Sequence, residues 1–324
     1  MKIIGSGSAL PDQVVTNDDL CKILDTSDEW IVTHTGISSR RILKDETVYE
    51  LGALAAKRAL EEANADAESV DLMICSNVIS DHVTPAPGCF IAGALGYTGQ
   101  TLDINGACTG FLKALDADSA IRAGKARRVL IIAAEQPSAL CDWTDRSSCI
   151  LFGDGAGAAV FGPVDKGFGL LSFDLGSDGA GGDLLDIPAG GSQKPLTAES
   201  LLMHENCIHM DGRAVFRFAV KILGETVEKS LERAGIEKTE IDWLVPHQAN
   251  TRIIDAAAKR LELPAEKVIV DIGKYGNMSA ASIPVALAEA VQAHRFKKGD
   301  LIALAGFGAG LTWASCIMKW AKED

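Results

Sequence analysis

The sequence has few aromatic residues (6%), no long apolar run and fewer basic than acidic residues. Its longest apolar run, Val129 to Ala134, is far too short to span a bilayer. The N-terminal stretch lacks the apolar core of a signal peptide. The net charge of −13 disfavours general binding to nucleic acid or to a membrane surface, because both are anionic. We therefore expect a cytoplasmic protein that binds neither.

The eight cysteines include no Cys-x-x-Cys pair and do not cluster with the six histidines. This spacing excludes a typical disulfide framework and a typical structural zinc site. We expect free thiols in a reducing compartment and no bound metal. A chain of 324 residues with 47% hydrophobic residues can bury a sizeable core in one or two globular domains.

Cys108 lies at a predicted strand-to-helix turn. The apolar run Thr101 to Ile104 predicts a strand, Asn105-Gly106 ends it, and the spacing of apolar residues predicts a helix over Thr109 to Arg122. Unpaired N–H groups at a helix start stabilise an anion, so we expect a lowered thiol pKa and a nucleophilic Cys108. The alternative is a small buried hydrophobic residue, which is the usual role of a lone cysteine.

The chain contains an internal repeat. Leu60 matches Leu231 within similar helix–strand segments (231 − 60 = 171), and Val129 matches Leu301 (301 − 129 = 172). Asp103 matches Asp271 at a slightly different offset (271 − 103 = 168). The repeat predicts an α/β protein of two duplicated halves related by a pseudo-twofold axis, residues 1–164 and 165–324. By this alignment, the counterpart of the Cys108 turn lies near Gly276.

The duplication predicts that three polar residues meet at one crevice. His247 follows the apolar strand ending at Pro246, and Asn277 precedes a helix of small residues. A nucleophilic Cys with His and Asn suits thioester chemistry, with Cys108 carrying the acyl group. The backbone N–H groups of Cys108 and Ala309 are candidates for an oxyanion hole. Neutral His and Asn donors also fit a developing enolate, which would permit decarboxylation of a malonyl thioester without a metal.

Ordered motifs over nearly the whole chain resemble the β-ketoacyl-[acyl-carrier-protein] synthase III family of the thiolase superfamily. They are Asp25 to Val32, the Cys108 turn, Asp145-Arg146, Phe152 to Gly157, Pro246 to Asn250, Gly276 to Ser282 and Phe307 to Trp313. The resemblance implies a homodimer with a thiolase-like fold layered α-β-α-β-α. It also implies a two-step reaction: an acyl-CoA acylates Cys108, then His247 and Asn277 promote condensation with malonyl-acyl carrier protein. The product would be a 3-oxoacyl-carrier protein that initiates fatty acid biosynthesis.

The resemblance also implies a binding path for coenzyme A, which enters as a thioester substrate; no prosthetic group is expected. Trp30 and Arg146 match the aromatic and guanidinium groups that sandwich the adenine. Further residues match the channel for coenzyme A: Thr26, Gly212, Phe216 and Asn250. Arg252 matches a contact to the acidic carrier protein, within a wider basic group of Arg213, Arg217, Lys221, Lys259 and Arg260.

Three positions depart from the family pattern, and other functions remain open. His34 replaces an Arg that helps hold the coenzyme A phosphates, Thr84 replaces a Phe of the acyl pocket, and Asn105-Gly106 replaces a small apolar pair. A papain-type cysteine hydrolase has the same residue order but lacks the duplicated halves. A closer alternative is a related enzyme of specialised ketide or quinolone biosynthesis or acyl transfer. A non-catalytic carrier-protein or acyl-binding scaffold is the third.

Overall fold

The computed structural model describes residues 1–323, which form two main sheets, two short two-stranded sheets and the helices that cover them. The strands are β1 (Lys2–Ala9), β2 (Val14–Thr16), β3 (Ser39–Arg41), β4 (Leu72–Ser76), β5 (Gln100–Ile104), β6 (Val129–Glu135), β7 (Gly155–Gly162), β8 (Gly169–Ser177), β9 (Leu185–Asp186), β10 (His209–Met210), β11 (Trp243–Pro246), β12 (Leu301–Gly308) and β13 (Thr312–Lys319). The α-helices are α1 (Asn17–Leu20), α2 (Asp28–Thr35), α3 (Val48–Glu62), α4 (Pro87–Leu95), α5 (Gly110–Ala114), α6 (Asp118–Arg122), α7 (Ala198–Leu202), α8 (Gly212–Ala234), α9 (Thr251–Arg260), α10 (Ile272–Tyr275) and α11 (Ser282–Gln292). Among residues 1–323, no helix is both long and apolar enough to cross a membrane.

The two main sheets have the same strand order, which confirms the predicted duplication. The first runs β1-β7-β6-β4-β5 and the second runs β8-β13-β12-β11. In both, the first two pairings in this order are antiparallel and the following ones are parallel. A parallel bridge from Val268 to Leu244 takes the place of β5 in the second sheet. All strands of the first sheet precede residue 163 and those of the second follow residue 168. The exact boundary between residues 164 and 165 stays a prediction.

The elements stack in five layers, as the fold class predicts. Helix α3 packs on the outer face of the first sheet and α8 on the outer face of the second, while α11 and α5 lie between the sheets. Strand β6 is buried along its whole length because helices cover both of its faces. Each large side chain it buries, such as Ile131, contributes about 2 kcal/mol of hydrophobic free energy.

Two glycines of β1 allow α3 to lie directly on the first sheet. A Cβ atom at Gly5 would come 2.2 Å from the carbonyl oxygen of Ala59, and one at Gly7 would come 2.4 Å from that of Ala55. Helix α3 begins with a capping box in which Thr47 and Glu50 exchange side-chain-to-backbone hydrogen bonds. The cap and the glycines together fix where this helix starts and how closely it packs.

The predicted single helix after Cys108 is interrupted. The chain forms a 3₁₀ turn at Ala107–Thr109, then α5, a second 3₁₀ turn at Leu115–Ala117, and α6. The N–H of Leu115 bonds to the carbonyl of Leu112, three residues back, so the helix tightens at this point. The apolar spacing also predicts that Phe111, Ala114, Leu115 and Ile121 share a buried face. Phe111, Ala114 and Leu115 are at most 3% exposed, whereas Ile121, beyond the interruption, is only partly buried.

Candidate active site

Cys108 lies in the tight turn between β5 and α5. Ala107 has a positive φ of 46°, and its N–H donates to the side-chain oxygen of Asn105 at 3.3 Å. A left-handed conformation is unfavourable for alanine, so this hydrogen bond offsets part of its cost. A Cβ atom at Gly106 would come 2.7 Å from the Cα of Gly110, which shows how closely the turn folds on itself. The predicted strand–turn–helix arrangement is therefore present.

The second half repeats this turn around Asn277. Ser279 has a φ of 51°, and its N–H donates to the side-chain oxygen of Asn277 at 2.9 Å. Asn105 and Asn277 thus occupy equivalent positions (277 − 105 = 172), as do the 3₁₀ turns that follow them. The sequence alignment placed the counterpart of Cys108 near Gly276, which is wrong by four residues. The second half has four more residues between Asp271 and Asn277 than the first half has between Asp103 and Asn105. Ala280 is therefore the counterpart of Cys108.

His247 is buried at the end of β11. The backbone N–H of His247 donates to the carbonyl of Ala305 at 2.7 Å. The imidazole ring packs edge-on against the ring of Phe307, with the ring centres 5.6 Å apart. Burial lowers the pKa of the His247 imidazole to about 3, so the ring is neutral at physiological pH. Its Nδ1 has no hydrogen-bond partner within residues 1–323. A neutral imidazole can still donate one hydrogen bond to a substrate oxygen.

Strand β12 lies against both His247 and Cys108. A Cβ atom at Gly306 would come 3.5 Å from the Cβ of His247, and one at Gly308 would come 2.8 Å from the N of Cys108. The 3₁₀ turn Ser279–Ala281 packs against the turn that holds Cys108. The structure therefore brings together the neighbourhoods of Cys108, His247 and Asn277, which the duplication predicted.

A substitution at Gly308 tests this close approach. Gly308→Ala places a methyl group within 3.1 Å of the Cβ of Cys108 and closer still to its amide, so the turn must shift. We expect roughly a 100-fold loss of acylation rate at Cys108, because a shift near 1 Å misplaces the nucleophile. Mass spectrometry of the acyl-enzyme, in reactions quenched at a series of times, measures this rate. Gly93→Ala is the control because its Cβ would meet no atom within 4 Å; equal rates for both variants contradict the prediction.

A cavity of about 220 Å³ opens above Cys108. Its polar members include Asn105, Glu135 and Ser279, and Ala309 lines it beside Cys108. His247 and Asn277 are not among its lining residues, and they are 1% and 7% exposed. Most of its wall is apolar: Val78, Ile79, Ala107, Pro137, Leu140, Phe152, Leu185, Ile187 and Ile208. Such a wall suits an acyl chain.

Sequence reasoning missed most of this wall. Leu185 and Ile187 lie in a glycine-rich stretch whose sequence is typical of a surface loop, yet they line the cavity with Cys108. Val78 and Ile79 follow β4, where their apolar side chains were the available signal. Glu135, at the end of β6, was not expected beside Cys108, because nothing in its local sequence indicates it.

The expected thiolate is not the resting state of Cys108. Burial raises the pKa of the Cys108 thiol to about 12, against a hydrogen bond from Ser279 that lowers it. The expectation of a lowered pKa is therefore wrong, because desolvation penalises the anion more than a five-residue helix stabilises it. The thiol must lose its proton when it reacts.

The candidate adenine site contains a closed stack. The guanidinium of Arg146 lies 5.1 Å from the centre of the Trp30 ring and donates to the carbonyl of Asp25 at 2.6 Å. The ring of His34 also stacks on Trp30, with ring centres 4.3 Å apart. No space remains for a base between Arg146 and Trp30, so the expected sandwich requires Arg146 to move away.

The other expected coenzyme A contacts lie near α8 and α9. Gly212 is the first residue of α8, and Phe216 lies one turn later. The guanidinium of Arg252 lies over the Phe216 ring, 5.3 Å from its centre. Asn250 caps α9 and donates to the carbonyl of His34 at 2.9 Å, which joins α9 to α2. The buried Oγ1 of Thr26 has no partner within residues 1–323.

One of the other basic candidates is not available for a carrier protein. Arg260 pairs with Glu228 at 2.7 Å and with Glu225 at 3.4 Å. Exposed pairs of this kind contribute little stability, but they neutralise the local positive charge.

Comparison with known proteins decides the family. Models of 3-oxoacyl-[acyl-carrier-protein] synthase III match residues 102–179, and models of its C-terminal part match residues 231–320. The beta-ketoacyl-[acyl-carrier-protein] synthase III of Desulfitobacterium hafniense is 50% identical over 99% of this chain and 98% of its own length. The chain belongs to this synthase III family. The sequence-based resemblance is thereby confirmed.

Solved structures of synthase III enzymes match the fold closely. The 3-oxoacyl-[acyl-carrier-protein] synthase III of Aquifex aeolicus is 44% identical with a TM-score of 0.91, covering 98% of this chain and 99% of that one. The priming β-ketosynthase of the R1128 polyketide pathway is 36% identical with a TM-score of 0.92, covering 100% and 97%. The thiolase-like fold class is therefore confirmed, and the chain is an acyl-transferring condensing enzyme.

Proposed function

We propose that this enzyme condenses an acyl-CoA primer with malonyl-acyl carrier protein. The reaction releases CO₂ and gives a 3-oxoacyl-carrier protein, the first step of fatty acid biosynthesis. The observation that carries the proposal is Cys108 at the floor of an apolar cavity, beside Ala309 and Ser279. The 50% identity to a synthase III relative, against 36% to the polyketide priming enzyme, favours fatty acid initiation over specialised ketide synthesis.

In the first step, Cys108 takes the acyl group. Its sulfur attacks the thioester carbonyl, and the tetrahedral oxyanion accepts hydrogen bonds from the backbone N–H groups of Cys108 and Ala309. Each such donor contributes about 3 kcal/mol in comparable enzymes. The coenzyme A thiolate then leaves, and the acyl chain lies along the apolar wall that Leu185 and Ile187 form.

In the second step, His247 and Asn277 act as hydrogen-bond donors to the malonyl thioester oxygen. Loss of CO₂ leaves an enolate, and two neutral donors in a buried site stabilise its charge. The neutral state of His247 fits this role, because it donates without giving up its proton. The enolate carbon attacks the acyl carbonyl on Cys108, and the thiolate leaves.

Trp30 and Arg146 would hold the adenine of coenzyme A, with Thr26, Gly212, Phe216 and Asn250 along the channel and Arg252 toward the carrier protein. The exposed guanidinium of Arg146 is free to swing off Trp30 after breaking one hydrogen bond to Asp25. A base would then replace the cation–π contact with two stacking contacts. The unpartnered hydroxyl of Thr26 would gain a partner from the ligand.

Removing the aromatic ring tests this assignment. We expect Trp30→Ala to raise the KM for acyl-CoA about tenfold with little change in kcat, since base stacking contributes ~1–3 kcal/mol to binding alone. Steady-state kinetics measures both constants. Phe168→Ala is the matched control. The ammonium group of Lys319 lies 5.5 Å from the centre of the Phe168 ring, but Phe168 is in the loop between β7 and β8 and not in the candidate adenine site. An unchanged KM in Trp30→Ala excludes the adenine site.

A homodimer and a cytoplasmic location complete the proposal. Strand β5 is the edge of the first sheet, and its Leu102 is 44% exposed. Val83, in the loop before α4, is fully exposed. An apolar sheet edge favours pairing with a second copy. The free cysteines fit a reducing compartment.

Intact-protein mass spectrometry with a panel of acyl-CoAs, from acetyl to medium-chain and branched, tests the function. We expect an acyl mass gain that malonyl-carrier protein clears with release of CO₂, and the best-loading acyl group identifies the primer. Clearance by water alone would indicate a hydrolase. Loading from no acyl-CoA would exclude the proposed donor and direct attention to His34 and to carrier-bound donors.

A further inference from the structure

Glu135 is a buried carboxyl group beside the nucleophile with no role in the reaction described so far. It ends β6, is 1% exposed and lines the cavity with Cys108. Among residues 1–323, no Lys, Arg or His forms an ion pair with it. Burying a carboxylate without a cation is costly, and such groups concentrate at functional sites.

Its hydrogen bonds connect Glu135 to the Cys108 turn. One carboxyl oxygen accepts from the N–H of Val78 at 3.1 Å, and the other accepts from the hydroxyl of Ser279 at 3.4 Å. Ser279 also lines the cavity with Cys108, and its side chain lowers the pKa of that thiol. Ser279 is therefore next to both groups, in the turn that Asn277 holds in place.

We infer that Glu135 accepts the thiol proton of Cys108 through the hydroxyl of Ser279 when Cys108 is acylated. The S–H bond breaks and its proton moves to the Ser279 oxygen, while the Ser279 proton moves to Glu135. The sulfur keeps the electron pair and forms the new C–S bond. The single negative charge passes from Glu135 to the sulfur and then to the oxygen of the attacked carbonyl group, so Glu135 and Cys108 are never both anions. The inference concerns the first step of the proposed function and rests on it.

The acidity of Glu135 suits this exchange. Burial raises the pKa of its carboxyl group to about 8, near physiological pH, where a group best accepts and returns a proton. Glu135 also acts on the buried thiol of Cys75 on β4, whose pKa is raised well above its ordinary value, first by burial. Asp186 on β9 is a further carboxyl-bearing residue that lines the same cavity. Across the site, burial lowers the pKa of His247 to about 3, which makes its imidazole a much weaker acceptor for the thiol proton than Glu135.

A purely electrostatic role for Glu135 predicts the opposite effect of mutation. As a charged neighbour, Glu135 raises the pKa of the Cys108 thiol. If that were its only influence, Glu135→Gln would make Cys108 more reactive. If Glu135 accepts the proton, the same change makes Cys108 less reactive. The sign of the effect therefore decides between the two roles.

The rate of Cys108 alkylation by iodoacetamide between pH 6 and pH 10 measures the reactivity of this thiol without any substrate. The label is quantified on the peptide that contains Cys108, since Cys89 is also exposed. We expect Glu135→Gln to lower the rate constant at neutral pH by at least about tenfold and to remove the inflection near pH 8. Ser279→Ala should do the same, and the double variant should lose no more than either single variant.

Asp103→Asn is the matched control. Asp103 is a carboxyl-bearing residue of β5, the strand that leads to Cys108; it accepts from the N–H of Gly88 at 2.8 Å and does not line the cavity. The rate of Cys108 alkylation in Asp103→Asn should stay within about twofold of the wild-type rate. A faster or unchanged rate in Glu135→Gln overturns the inference, as does an additive loss in the double variant. If Glu135→Gln fails to fold, Ser279→Ala decides alone.

The two proposals fail separately. Normal acyl loading with unaltered alkylation in Glu135→Gln overturns the proton route and leaves the condensing function intact. Slow alkylation in Glu135→Gln, with no loading of the wild type by any acyl-CoA, supports the route and overturns the proposed donor.

Discussion

Cys108→Ala is expected to abolish the acyl-enzyme and to lower condensation by roughly 10³-fold or more, since the route through a covalent intermediate is lost. Mass spectrometry after incubation with acyl-CoA should detect no mass gain at this residue. Decarboxylation of malonyl-carrier protein should persist, because His247 and Asn277 remain. That residual activity separates loss of the nucleophile from loss of the fold.

Cys89→Ala is the control for this change, since Cys89 is an exposed thiol on α4, away from the cavity. It should load acyl groups as the wild type does. Acyl loading of the Cys108→Ala variant would place the nucleophile elsewhere and overturn the site described here. Cys316 on β13 is a poor substitute because it is fully buried and does not line the cavity.

His247→Ala is expected to separate the two steps. Condensation should fall by roughly 10²–10³-fold, the usual loss when one donor to a developing oxyanion is removed. Acylation of Cys108 should change far less, because the backbone N–H groups serve that step. Single-turnover mass spectrometry measures acylation, and release of CO₂ measures the second step. His247→Asn restores an N–H donor and should recover part of the loss.

The matched control is His294→Asn, at an exposed residue with a φ of 50° that asparagine tolerates well. It should leave both steps unchanged. Equal losses in acylation and condensation for His247→Ala would contradict the assigned role. Thermal unfolding of each variant is needed, since truncating a buried side chain leaves a cavity that costs about 2–4 kcal/mol.

The two asparagine turns explain a departure from the family pattern. Asn105 replaces an apolar residue, yet it makes the same side-chain hydrogen bond before the nucleophile that Asn277 makes in the second half. Both bonds hold a non-glycine residue at positive φ. The duplicated fold thus uses one local device twice, and only the first copy carries a cysteine.

Sequence patterns identified the parts of the site that depend on local structure. The strand that leads to Cys108, the apolar β6 and the strand before His247 each follow from short apolar runs with clear ends. The repeat predicted two equivalent halves, because equal patterns at nearly constant spacing fold alike. The repeat misplaced the counterpart of Cys108 at Gly276. The extra turn α10 follows Asp271, so it shifts the later residues without changing the Asp103–Asp271 match on which the alignment relied.

The sequence by itself thus determined the duplicated fold, the family and the residue types of the Cys108, His247 and Asn277 set. Only the tertiary structure decided what surrounds them. Leu185 on β9 and Glu135 on β6 line the same cavity, and the burial of Cys108 there raises the pKa of its thiol instead of lowering it. These properties depend on contacts between residues far apart in the chain. Local periodicity does not specify such contacts, because the packing of the two sheets creates them.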